Sequence, residues 1–199
     1  MILGITGGIA SGKSTVSNYL RSKNIPIVDA DAISHKIMGK GKPALKLIEE
    51  EFGEIFFVDG RLDRQKLGQY CFQNKERTEK LNSIVHPFIF EEMEKQLEAN
   101  KDAPITVLDA PLLIEAGLHK RCDKVAIVVC SKGKRIERAI KRSNLPKLEI
   151  QKRMRQQLSD DERKQYADYI ISNNSTLEST FKQVDKILKE LNYECKKLF

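Results

Sequence analysis

The chain has 199 residues, of which 40% are hydrophobic and 32% charged, and its net charge is +7. That length suits one globular domain with room for inserted subdomains and a sizeable core. Its longest apolar run, Val125–Cys130, is far short of the roughly 20 residues a membrane-spanning helix needs.

The N-terminal run Ile2–Thr6 reads as a buried strand and leads into Gly7–Ser14, which fits G-x-x-x-x-G-K-[S/T]. Glycines allow a tight turn that brings backbone N–H groups to phosphate oxygens. Lys13 supplies a mobile positive charge for the β- and γ-phosphates, and the Ser14 hydroxyl can sit on Mg²⁺. A helix predicted from Lys13 to Lys23 turns its positive end toward the same anion. With its glycines assigned to this loop and no basic flank or cleavage site, the N-terminus does not read as a signal peptide.

A second strand, Pro26–Asp29, ends in Asp29-Ala30-Asp31. Ligands of open α/β sheets lie beyond the carboxyl ends of the strands. If this end stays extended, Asp29 and Asp31 point the same way. Asp31, nearer the mouth, is then the candidate base for an attacking hydroxyl. The competing reading makes Asp31 the cap of a helix starting at Ala32.

Residues 30–104 are too many for one crossover helix. Helical patterns cover Leu45–Phe52, Arg64–Phe72 and Ile89–Leu97, and Asn82–Pro87 reads as a break with Pro87 opening the next helix. On residue type alone His86 is a cap or a packed side chain. The third strand, Ile105–Asp109, ends on a carboxylate placed to order Mg²⁺ through water, or simply to serve as a turn residue.

After the fourth strand, Lys124–Cys130, residues 132–164 hold twelve basic and five acidic side chains. Arg135, Arg138 and Arg142 share one helix face, which suits a lid over a triphosphate or a merely solvated basic face. Tyr166 is the sole aromatic from 131 to 167, too few for stacking on nucleic acid. The fifth strand is Tyr169–Ser172, and Leu177, Phe181, Val184, Leu188 and Leu191 make an amphipathic final helix. Asn100-Lys101-Asp102-Ala103 lacks the aspartate of the N-K-x-D guanine motif. The four cysteines, at 71, 122, 130 and 195, form no C-x-x-C, which points to a reducing cytoplasm.

Apolar, mostly β-branched strands separated by helices imply a parallel sheet covered on both faces. The predicted class is α/β, the three-layer fold of phosphate-loop NTPases with a five-stranded parallel sheet. Residues 1–30, 104–130 and 167–199 form the nucleotide core, 31–103 a helical acceptor domain and 131–166 a helical lid.

Taken together, GITGGIASGKST, VDAD at 28–31, GRLDR at 60–64, LNSIVHP at 81–87, LDAPLLIEAGL at 108–118, RAIKR at 138–142, RMRQQ at 153–157 and ADYIISN at 167–173 resemble the dephospho-CoA kinase family over nearly the whole chain. The resemblance implies transfer of phosphate from ATP, with Mg²⁺, to the ribose 3′-hydroxyl of dephospho-CoA, the last step of CoA synthesis. It makes 31–103 a CoA-binding insertion. It implies that Gly8, Ala10, Ser11, Gly12, Lys13, Ser14, Thr15 and Asn173 hold ATP. Asp29, Arg64, His86 and Pro111 fall on the acceptor side, and Asp31, Lys13, Arg138 and Arg142 in catalysis. Ser14 and, through water, Asp109 would serve the metal. ATP and dephospho-CoA are the expected partners, with no nucleic acid and no membrane, and a monomer is expected over a weak oligomer. The alternative is another small-molecule or nucleoside monophosphate kinase. The chain departs from many members at Ala10, where glycine is common and a methyl fits a negative φ. It departs also at Ser143, where an aspartate partner for Arg142 is common, and at Ile114, where phenylalanine is.

Overall fold

The computed structural model describes residues 1–143 and 146–191. In chain order the elements are β1 (Ile2–Thr6), α1 (Lys13–Ser22), β2 (Ile27–Asp29), α2 (Ala30–Ile37), α3 (Pro43–Phe52), β3 (Phe57–Val58), β4 (Arg61–Leu62), α4 (Arg64–Phe72) and α5 (Lys75–Ala99). They continue with β5 (Thr106–Asp109), β6 (Lys124–Val129), α6 (Lys132–Ser143), α7 (Lys147–Arg155), α8 (Asp160–Lys164), β7 (Tyr169–Ser172) and α9 (Leu177–Glu190). The chain divides into two compact units, residues 1–28 with 100–199 and residues 29–99.

The first unit is built on a five-stranded parallel sheet of order β2-β5-β1-β6-β7. The fold class is therefore the α/β class with a five-stranded parallel sheet that the sequence implied. Two strands match the apolar runs and three are shorter by one residue. Pro26 has no N–H to give the ladder and stays outside β2, although its carbonyl accepts from the Val107 N–H at 2.9 Å. On one face of the sheet Leu3, Ile5, Val107, Ala126 and Val128 pack with Val16 and Leu20 of α1 and Val184, Ile187 and Leu188 of α9. Tyr19 stacks on Phe181 at 4.0 Å between centroids. On the other face Gly4 has no room for a side chain. A Cβ there would lie 2.6 Å from Cys122 Sγ and 2.8 Å from a Leu113 methyl.

The sheet register positions the chemistry. Ile5 of β1 pairs with Asp109 of β5, and Thr6 with Ile127 of β6. The loop leaving central strand β1 therefore starts beside the end of β5.

The second unit is helical, with α2, α3 and α4 each packed on α5. The expected break at Asn82–Pro87 is absent, and α5 runs unbroken from Lys75 to Ala99 with Pro87 inside it. An internal proline costs a helix roughly 3 kcal/mol. Two features offset that cost. Pro87 and Ser83, the residue whose carbonyl loses its intrahelical donor, are both exposed, so water can reach the freed group. Val85, Met93 and Leu97 are buried on either side of the proline and hold the helix to its neighbours. The small hairpin β3–β4 turns through Asp59 (φ +51°) and Gly60 (φ +71°), the pair of positive φ values that favours Asp-Gly.

Candidate active site

The loop Gly7–Gly12 carries two left-handed residues, Gly12 at φ +100° and Ala10 at φ +58°. Glycine adopts this region freely and alanine does not. The negative φ that would make the Ala10 methyl harmless is thus not found, and Ala10 is held in a strained conformation. Gly8 is needed for close approach, because a Cβ there would fall 2.1 Å from Arg135 Nη2. The N-terminus of α1 has no side-chain cap and no acidic residue in its first turn. Its leading N–H groups and positive dipole end remain available to an anion. The buried Ser11 Oγ has no hydrogen-bond partner among the described residues.

Lys13 opens α1, and its ammonium pairs with the Asp109 carboxylate, which is buried at the end of β5. Ser14 follows on the exposed side of the helix. A hydroxyl and a carboxylate are oxygen donors suited to a hard divalent cation. No cluster of three or more His, Cys, Asp or Glu able to hold a metal occurs among the described residues. These residues therefore fit a cation brought by the phosphates, not a cage built by the protein alone.

At the end of β2 the extended continuation expected for Asp29 and Asp31 does not form. Asp29 is the N-cap of α2, and its Oδ1 accepts from the Ala32 N–H at 2.9 Å. The capping role foreseen for Asp31 thus belongs to Asp29, and the helix begins at Ala30, not Ala32. Asp31 lies in the first turn of α2, where a carboxylate is favoured by the helix dipole.

Within the second unit, Arg64 follows the N-cap Asp63 of α4 and donates from Nη2 to the His35 carbonyl at 2.6 Å. Burial lowers its pKa from the ordinary guanidinium range. His86 lies on α5 with its ring edge-on to Phe90 at 5.9 Å. Burial pushes its pKa below the ordinary 6.5 and favours the neutral imidazole. Pro111 begins the turn after β5, and its carbonyl accepts from the Thr6 hydroxyl at 3.1 Å.

The three arginines of α6 share a face by spacing but differ in exposure along it. Arg135 is 7% exposed, Arg138 is half-buried and Arg142 is exposed. Arg138 donates to the Asn173 carbonyl at 3.3 Å and to Cys130 Sγ at 3.5 Å. Its Nη1 also lies 3.7 Å from where a Gly12 Cβ would stand. Asn173, just after β7, is 2% exposed. Its amide donates to the Ser11 carbonyl at 2.8 Å, and its Oδ1 accepts from the Thr180 hydroxyl at 3.2 Å. Asn173 thus braces the loop from behind. The first unit therefore brings together the loop, Lys13, Asp109, Arg138 and Asn173.

Sequence reasoning missed Gln157, whose Oε1 accepts from the Ile9 N–H at 3.0 Å, and the contact of Arg135 with the Ile9 carbonyl at 2.9 Å. A signal for Arg135 exists. It directly precedes Ile136 and lies four residues before Ala139, so it belongs to the buried stripe of α6.

A family model described as dephospho-CoA kinase matches residues 1–179. A dephospho-CoA kinase of Bacillus cereus is 43% identical over 195 residues, covering 96% of this chain and 98% of the relative. A crystal structure from Thermus thermophilus superposes with a TM-score of 0.84 at 34% identity, covering 96% of this chain and 97% of the other. A dephospho-CoA kinase from Campylobacter jejuni gives a TM-score of 0.71 at 26% identity, with 96% of each chain covered.

Proposed function

The chain belongs to the dephospho-CoA kinase family, and on that premise we propose how its own residues carry the reaction. The reaction is ATP-dependent phosphorylation of dephospho-CoA, a step of coenzyme A biosynthesis. The observation that carries the reading is the pairing of an uncapped α1 N-terminus with Lys13 and a buried Asp109 at the adjacent strand end.

In this reading the loop amides and Lys13 hold the β- and γ-phosphates of ATP. Lys13 leaves Asp109 for the incoming phosphates. The cation arriving with the phosphates then supplies the positive charge beside Asp109, so its buried carboxylate is not left without a counter-charge. Ser14 and, through water, Asp109 would hold the divalent cation, which we take to be Mg²⁺. When bound, that cation neutralises charge on the phosphate oxygens.

Asp31 accepts the proton of the ribose 3′-hydroxyl as the hydroxyl oxygen attacks the γ-phosphorus in line, and the bond from that phosphorus to the β,γ-bridging oxygen breaks to release ADP. Asp29 is the N-cap of α2, and Asp31 stands two positions further, in the first turn of the helix. Arg138, at the loop side of α6, offsets charge developing on the transferred group. Arg142, a turn further out and exposed, meets the outer phosphates. Arg64, His86, Asp29 and Pro111 serve the acceptor. A neutral His86 can accept or donate one hydrogen bond without adding a charge. The protein works in the cytoplasm, as a monomer.

An acceptor panel tests the reading. With ATP and Mg²⁺, ADP release is expected with dephospho-CoA and not with AMP, CMP or water, and the product should carry a 3′-phosphate. ADP release with AMP or CMP and none with dephospho-CoA would replace the reading with that of a nucleoside monophosphate kinase.

A further inference from the structure

The loop residue Ile9 is held from both sides by the basic segment. Its N–H donates to Gln157 Oε1 at 3.0 Å, and its carbonyl accepts from Arg135 Nε at 2.9 Å. The contacts do not stop there. Arg135 Nη1 donates to Asp160 Oδ1 at 3.1 Å, and Arg163 Nη1 lies 3.7 Å from the same oxygen. Arg163 Nη2 donates to Glu115 Oε1 at 3.0 Å, and Glu115 Oε1 accepts the Leu158 N–H at 3.2 Å. Leu158 adjoins Gln157, so the interactions close a ring that starts and ends at Ile9. Arg163 is fully buried. Its Nη2 is held by Glu115, whereas Nε and Nη1 have no hydrogen-bond partner among the described residues, so Glu115 and the nearby Asp160 carboxylate are what offset the cost of burying this guanidinium.

The ring grips the residue before Ala10, the non-glycine residue at φ +58°. A strained conformation persists only where its surroundings over-determine it. Fixing both polar groups of Ile9 sets the peptide planes on either side of that residue, and with them the direction of the next loop N–H groups. We propose that Gln157 and Arg135 are positioning residues that hold the Ile9 peptide groups, and so keep the phosphate loop in its strained, phosphate-binding form. Asp160, Arg163 and Glu115 act through Arg135 and the Leu158 backbone. The inference rests on reading the loop as the ATP phosphate site. It gives the basic segment a task in ATP affinity that is separate from any contact with the transferred phosphoryl group.

The experiment measures ATP affinity by calorimetry, KM for both substrates, and melting temperature in the full chain. Gln157 is only half-buried, so Gln157→Leu should fold. Loss of its single acceptor should weaken ATP binding about tenfold and leave KM for dephospho-CoA within about twofold. Arg135→Met should weaken ATP at least as much. Arg135→Gln, which keeps an N–H donor for the Ile9 carbonyl, should recover most of the loss. The variant Ala10→Gly relieves the strain, so in its background the Gln157→Leu penalty should shrink to about threefold or less. Unchanged ATP affinity in Gln157→Leu, or an equal penalty with and without Ala10→Gly, would overturn the proposal while wild type still binds ATP. Wild-type protein that fails to bind ATP would overturn the reading of the loop itself.

Discussion

The Lys13 ammonium rests on the Asp109 carboxylate, and both side chains are largely shielded, at 13% and 4% exposure. The pair joins the first residue of α1 to the last residue of β5. It follows from register, because Asp109 pairs with Ile5 one strand over and the loop begins two residues later. The residue proposed to hold ATP and the residue proposed to serve the cation are thus paired with each other.

That relationship predicts the behaviour of Asp109→Asn. The amide keeps the shape and loses the charge. Half-maximal activity should require about tenfold more Mg²⁺, consistent with loss of a ligand-orienting carboxylate. A titration of initial rate against Mg²⁺ measures this, and an unchanged midpoint would remove Asp109 from the metal's surroundings.

Ala10 gives a second prediction, on stability. Glycine at φ +58° relieves roughly 1 kcal/mol of left-handed strain, against an unfolded-state entropy cost of about 0.4–1 kcal/mol. Ala10→Gly should therefore be neutral or slightly stabilising, and Ala10→Val, β-branched at positive φ, should cost about 2 kcal/mol or more. Urea denaturation of the two variants is the measurement.

His86 gives a pH dependence. Burial lowers its pKa in the folded chain from the ordinary 6.5. The unfolded chain therefore binds the proton more readily as pH falls through 6.5, and stability falls with it. Equilibrium unfolding from pH 7.5 to 5 should be less steep in His86→Gln than in wild type. Identical slopes would mean that His86 is not buried enough to matter.

Much of this was legible in the sequence, for reasons that can be named. The five strands are continuous apolar runs because both sheet faces are covered, and the phosphate loop has fixed residue spacing. The Ser159-Asp160-Asp161-Glu162 capping box that starts α8 is an equally local signal. So is the Asp59-Gly60 hairpin. Pro87 misled because a local rule forbids what tertiary packing of Val85, Met93 and Leu97 permits. That the Asn173 amide reaches the Ser11 carbonyl, 2.8 Å away, is not legible in a sequence. The ring from Ile9 to Glu115 joins residues up to 148 positions apart, and only the folded chain brings them together.

The most direct measurement is a comparison of Asp31→Asn with wild type, taking ATP affinity and turnover of dephospho-CoA from the same preparations. The account predicts near wild-type ATP affinity with kcat lowered at least about a hundredfold, the loss expected for a positioned base. An Asp31→Asn protein that keeps most of its turnover would contradict it.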